Sequence, residues 1–251
     1  MTAAVTPFSL KDAPALIERL LPVQKLSAEV FKERRAGAGQ TLVPLGSYWK
    51  GRKPLILNKA CILGCLLPAS CNPKRDLEIF EKLMAMDDES FVARWPRRFK
   101  PEEILATLSI ARIADYFTAE PAGILPDSAP LDWSKPAYAQ VKVAWREGIS
   151  AMERRRLQVQ MLAKAPYRKW TEDAKRAEEV MDTVHDHIWD EINAHLGTSA
   201  GFCSELVNQL GIMRFGHRPR VGDTFCGSGQ IPFEAARLGC DVYASTPWPV
   251  C

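Results

Sequence analysis

The stretch Val221-Gly-Asp-Thr-Phe-Cys-Gly-Ser-Gly-Gln-Ile-Pro-Phe-Glu-Ala-Ala-Arg-Leu-Gly-Cys-Asp-Val-Tyr-Ala-Ser245 decides how the chain is read. It predicts a short strand closed by Phe225, a tight turn at Gly227-Ser228-Gly229, an amphipathic helix, and a second strand from Asp241. Glycine suits the turn because the backbone there must reach positive φ and approach a ligand with no Cβ in the way. Pro232 falls in the first helical turn, where its missing N–H costs nothing. Phe233, Ala236 and Leu238 are expected to face a sheet, and Gly239 to stop the helix. Such a unit is half of a nucleotide-type site, since ligands of open parallel sheets bind beyond the carboxyl ends of the strands.

Two motif readings compete. The dinucleotide fingerprint G-x-G-x-x-G fails, because its third glycine position is Pro232. The spacing Asp223-x-Phe225-x-Gly227-x-Gly229 resembles motif I of S-adenosylmethionine-dependent methyltransferases. That resemblance implies that Asp223, Thr224, Phe225, Cys226, Gly227, Ser228 and Gly229 line the methionine part of the cofactor. It also implies that the Asp223 carboxylate holds the cofactor's ammonium group. The plainer alternative is an ordinary strand–helix turn.

The resemblance stops after Ser245. The family continues into an acid that binds the ribose and a D-x-N-P-x-A run, whereas this chain has Thr246-Pro-Trp-Pro-Val-Cys251. The [D/N/S]-P-P-[Y/F/W] loop of amino-methyltransferases, motif IV, occurs nowhere in the sequence. The chain by itself is therefore expected to be inactive and to bind the cofactor weakly. A frameshift near codon 246 is expected: with ACC as the Thr246 codon, a shifted frame restores P-x-A, and the Trp248 and Pro249 codons force the Ala whatever their third bases.

A second resemblance lies near the other end. Leu21-Pro22, Ser27-Ala28-Glu29 and Tyr48-Trp49-Lys-Gly-Arg52-Lys53-Pro54-Leu55 are similar to the N-terminal domain of unknown function of bacterial adenine-specific DNA methylases. Those proteins carry a W-W-A-R-R-P-L type run where this chain has Trp49 to Leu55. The resemblance implies DNA as a partner and makes Trp49, Lys50, Arg52 and Lys53 nucleic-acid candidates, since cations neutralise phosphates and aromatics stack on bases. It also implies a setting of restriction–modification or phage defence, with other defence-system subunits as partners. Two further basic–aromatic clusters, Arg94-Trp-Pro-Arg-Arg-Phe-Lys100 and Tyr167-Arg-Lys-Trp170, are read as core anchors with solvated charges. Arg154-Arg-Arg156 is read as solvated surface, and Glu234 as a helix-end charge rather than a general base.

Composition sets wide bounds. In 251 residues, 47% are hydrophobic and 25% charged, with a net charge of +3, which is ordinary for a globular protein and permits nucleic acid as a partner. No run of about 18 apolar residues and no signal-peptide pattern occurs, so a cytoplasmic chain without a membrane span is expected. The seven scattered cysteines fit reduced thiols rather than a disulfide framework. Cys61 and Cys65 sit in an apolar run and are expected to be buried, and no metal is expected. His185 and His187 lie two apart on a predicted helix and point away from each other, so they do not share an ion.

Along the chain, Leu10–Arg35 predicts two helices split at Pro22, the second with an apolar stripe of Val23, Leu26, Val30 and Phe31. Helices are expected from Pro54 to about Leu67, Lys74–Met86, Pro101–Phe117 and Ser199–Leu210. Glu120–Pro136 reads as a linker, and Tyr138–Ala163 with Thr171–Leu196 as a helical hairpin with Thr171 as N-cap and Gly197 as C-cap. The fold class is thus a mostly α N-terminal region followed by the first β-α-β unit of a Rossmann-like methyltransferase domain. The expected domains are 1–120, a helical family domain; 121–197, linker and hairpin; and 198–251, an incomplete methyltransferase domain.

The function implied is the N-terminal fragment of a DNA adenine-N6 methyltransferase. An alternative is a helical nucleic-acid-binding or assembly module with a vestigial nucleotide loop. A small Rossmann-like oxidoreductase is disfavoured by the lack of an acid at the end of the second strand.

Overall fold

A computed structural model describes residues 5–35, 53–95, 99–164, 166–177 and 188–245. In chain order its elements are α1 (Leu16–Arg19), α2 (Val23–Arg35), α3 (Leu55–Leu66), α4 (Pro73–Leu83), α5 (Asp88–Arg94), α6 (Pro101–Thr107), β1 (Phe117–Glu120) and β2 (Lys142–Trp145). They continue as α7 (Ala151–Ala163), α8 (Tyr167–Thr171), α9 (Trp189–Leu196), α10 (Cys203–Phe215), β3 (Arg220–Asp223), α11 (Gln230–Arg237) and β4 (Asp241–Ala244). The architecture is mostly α, with two small two-stranded sheets among the described residues. The chain divides into two compact units: residues 1–90 with 175–251, and residues 91–174. These cuts differ from the sequence boundaries at 120 and 197, because the chain leaves the first unit and returns to it.

The first unit is built around α3, which α1, α2, α10 and α11 all contact. A helix apolar on nearly every side must be surrounded, and Leu55, Ile56, Ala60, Leu63 and Leu66 are buried. Gly64 lets α1 come close, since a Cβ there would lie 3.2 Å from Ile17 Cβ. The α10 side chain of Arg214 donates to the carbonyls of Leu66, Leu67, Leu10, Ala13 and Pro14, tying the end of α3 to the N-terminal segment. At the unit's other side, β3 and β4 pair in parallel with Arg220 opposite Asp241 and Asp223 opposite Ala244. The expected strand–turn–helix–strand order is therefore present.

The second unit has an aromatic core. Trp95 stacks on Phe99 at 5.2 Å between ring centroids, and both meet Trp170 edge-on. Arg94 is fully buried and donates to Tyr167 Oη at 3.1 Å. The aromatic members of both clusters thus anchor the core, as read. Arg154 is half-buried over the Trp145 ring at 5.4 Å rather than solvated.

Three helical assignments change. Residues 117–120 and 142–145 form an antiparallel pair, with Phe117 opposite Trp145, so α6 ends at Thr107 and the helix expected from Tyr138 begins only at Ala151. Ser150 starts α7 instead, accepting from Glu153 N while the Glu153 carboxylate accepts from Ser150 N. Thr171 closes α8, its hydroxyl donating to Tyr167 O at 2.8 Å, and is not an N-cap. Gly197 does cap α9, at φ 67°.

Candidate cofactor loop and its buried anchor

The loop after β3 is shaped by its own backbone. The Gly229 N–H donates to Cys226 O at 2.7 Å, and the Cys226 N–H to Ser245 O at 3.0 Å, so the loop is pinned to the end of β4. Gly227 and Gly229 sit at φ 50° and 75°, left-handed backbone that a side chain disfavours. A Cβ on Gly229 would meet no atom within 4 Å, so the loop's outer face is open. One carboxylate oxygen of Asp223 accepts the Phe225 N–H at 3.2 Å. The other has no partner among the described residues. Phe225 is 77% exposed.

This donor and acceptor set fits the methionine part of S-adenosylmethionine: an open glycine loop beside a carboxylate oxygen free to accept from an ammonium group. At the end of β4, the Ser245 hydroxyl donates to Thr224 O at 3.1 Å and its N–H to Asp223 O, so both serve the loop. Thr246 lies outside the described residues, as do Trp49, Lys50, Arg52, His185 and His187. Of the basic–aromatic candidates, Lys53 is described and exposed.

The buried face of α11 keeps Leu238, as expected, but not Phe233 and Ala236. Phe233 and Ala236 are exposed, whereas Gln230, Glu234, Ala235 and Leu238 are buried in a helix that contacts α3, β3 and β4. Gln230 is only 3% exposed. Its Oε1 accepts from Ser228 Oγ at 2.6 Å and from the Lys53 backbone N–H at 3.1 Å. Glu234 is 1% exposed and pairs with Arg237 at 2.7 Å. Burial pushes its carboxyl above the ordinary range, Arg237 and Lys59 pull it back, and Glu33 pushes it further up. Glu33 itself caps α3, accepting the N–H groups of Leu55 and Ile56 at 2.8 and 3.1 Å. Lys59 donates to Leu83 O at 2.7 Å.

Sequence reasoning missed this polar seam. On α2 it expected Val23 and Phe31 inside, yet both are exposed while Glu29 and Glu33 are buried. The available signal was spacing: Gln230, Glu234 and Leu238 lie one turn apart on a single stripe, as do Glu29 and Glu33. Cys61 and Cys65 are exposed rather than buried, since α3 turns that edge outward. Both thiols lie above their ordinary range, mainly through partial desolvation.

The family described as "Protein of unknown function (DUF1156)" matches residues 20–87, which span α2, α3 and α4. No curated protein and no solved structure matches the chain. Among the described residues no helix is long and apolar enough to cross a membrane.

Proposed function

We propose that the chain is the N-terminal part of an S-adenosylmethionine-dependent DNA adenine-N6 methyltransferase, in which α11 and its flanking strands begin a Rossmann-like cofactor domain. The observation that carries this reading is the open glycine loop beside the half-free carboxylate of Asp223. Asp223 would take the ammonium group, and the backbone of Gly227–Gly229 would lie along the methionine chain with no Cβ between. The bound cofactor supplies an electrophilic methyl group on a sulfonium. Transfer to a flipped adenine needs the amino group held in line with that methyl, and the residues of motif IV are not in this sequence. These 251 residues would then hold the cofactor without the loop that orients the amino group. DNA is its partner, together with other defence-system subunits, and it acts in the cytoplasm.

Calorimetric titration of the 251-residue chain with S-adenosylmethionine tests this. Binding is expected with Kd on the order of 0.1–1 mM, about −4 to −5.5 kcal/mol, and Asp223→Ala should abolish it. Salt-dependent DNA binding with no cofactor heat would favour the helical nucleic-acid module instead. Self-association with neither ligand bound would favour an assembly module, for which Phe225 and Tyr243 offer exposed apolar surface.

A further inference from the structure

The second unit carries a cleft of its own, between the turn that follows α6 and the exposed side of α7. Its volume is about 380 Å³, inside the range of roughly 300–1,000 Å³ over which small-molecule sites spread. Its apolar lining comes from the buried Ile110 and Leu157 and from the half-buried ring of Tyr116. Its polar lining is unbalanced. Arg156 and Gln160 lie one turn apart on α7, both exposed, and neither has a hydrogen bond or ion pair among the described residues. The backbone N–H groups of Ala111 and Arg112 likewise donate to no described residue. The carboxylates are engaged: Asp115 with Arg112 at 3.6 Å, and Glu153 with the N–H and hydroxyl of Ser150 at 3.2 and 2.9 Å. What is left is a surplus of donors around an unpaired guanidinium, and that calls for an anion. A bare inorganic anion would leave the apolar lining uncovered, so the anion must carry a ring-sized organic part.

We propose that this cleft binds a nucleoside monophosphate, its phosphate on Arg156 and Gln160 and its base against Tyr116, Ile110 and Leu157. The planar guanidinium fork matches two phosphate oxygens, and the Gln160 amide, one turn along the helix, can donate to a third. A base suits the remaining space better than an alkyl chain. Its face stacks on the tyrosine ring while its polar edge accepts from the free N–H groups of the turn. The site is built wholly from residues 109–160 and does not rest on the cofactor reading of the glycine loop.

Calorimetric titration of the full chain with uridine monophosphate, which shares no base with S-adenosylmethionine, tests the assignment. Saturable binding is expected, with uridine and inorganic phosphate each about ten-fold weaker or more, since each lacks half of the contacts. Arg156→Gln should weaken the nucleotide by about ten-fold, and Arg156→Lys by less, because the charge stays and the fork is lost. Gln160→Glu places a negative charge beside the phosphate and should also weaken it. Both positions are exposed, so these variants should melt as the wild type does. In the wild type, which needs no variant to fold, the amide resonances of Ala111 and Arg112 should shift on adding the nucleotide. No binding, equal binding of inorganic phosphate, an affinity unchanged in Arg156→Gln, or unmoved amides at Ala111 and Arg112 would each overturn the proposal. Displacement by S-adenosylmethionine would assign the nucleotide to the glycine loop and overturn it as well.

Discussion

The unit around α3 and the unit of residues 91–174 differ in how much polar chemistry they bury. In the first, Glu29, Glu33, Lys59, Arg214, Gln230 and Glu234 are all inside. Arg214 alone joins α10 to carbonyls about two hundred residues earlier in the chain. In the second, Trp95, Phe99 and Trp170 meet through ring contacts, and Phe91 meets Tyr167. Apolar packing is proportional to area and tolerates rearrangement. A buried charge tolerates none, because each donor must find its acceptor at hydrogen-bond distance. The polar unit therefore specifies where the glycine loop sits, whereas the aromatic unit is held mainly by filled volume, with the buried Arg94 donating to Tyr167 inside it.

The sharpest way to break that contrast is Arg214→Ala. It removes the buried bonds to Leu66 O and Leu67 O together with the bond to Ala13 O, leaving Leu67 O only its Leu16 N–H, and should cost about 3–5 kcal/mol in urea unfolding. Arg214→Lys retains the charge but not the planar fork, and should recover less than half of the loss. If alanine proves nearly neutral, the polar seam is ornamental and α3's apolar surface alone holds the unit. The counterpart is Trp95→Ala, expected to cost about 3–4 kcal/mol through the cavity it leaves. Trp95→Phe should cost clearly less, since a ring still faces Phe99. A loss as large as that of alanine would mean that ring geometry, not volume, holds this core.

The same contrast explains what the sequence disclosed. The β3–α11–β4 order was legible because glycine and proline positions carry it locally: Gly227, Gly229, Pro232 and Gly239 each fix one backbone event. Asn72 caps α4 by the same kind of local signal, accepting from Arg75 N at 3.2 Å. The β1–β2 pair was hidden because its strands are four residues each and their partners lie beyond a proline-rich span that resembles a linker. The seam around Gln230 was hidden because Gln, Glu and Lys are ordinarily solvated. Only the tertiary approach of α3 turned a polar stripe inward. Phe233 and Ala236 of α11 were accordingly misassigned, while Leu238 is buried as expected.

A smaller effect calibrates the second unit's local signals. Ser150→Ala removes the hydroxyl that accepts the Glu153 N–H at 3.2 Å and should destabilise by about 1 kcal/mol. Ser150→Asp should restore it, the carboxylate also meeting the positive end of α7. Circular dichroism melts of the two variants check this. A loss comparable to that of Trp95→Ala would show the second unit to depend on directional bonds after all.

The smallest effect at neutral pH discriminates best. Glu234 is buried and its carboxyl is held above the ordinary range, first by desolvation, against which Arg237 and Lys59 act. The folded state therefore binds this proton more tightly than the unfolded chain does. Between the unfolded value near 4.5 and the raised folded value, stability falls as pH rises, and it stays lower above that window. Glu234→Gln removes this slope together with the ion pair to Arg237, so the two changes oppose each other at pH 7 and the net should lie within about 1 kcal/mol. Glu81, raised by burial, titrates in the same direction in both proteins, and Glu191, lowered first by its bond to Lys82, titrates in the opposite one. The difference between wild type and Glu234→Gln therefore isolates the one group. Urea midpoints from pH 4 to 8 should give a difference that shifts in the variant's favour with rising pH. A difference flat with pH would mean that the carboxylate is as well solvated in the fold as in water, and that α11 does not bury its acidic stripe against α3.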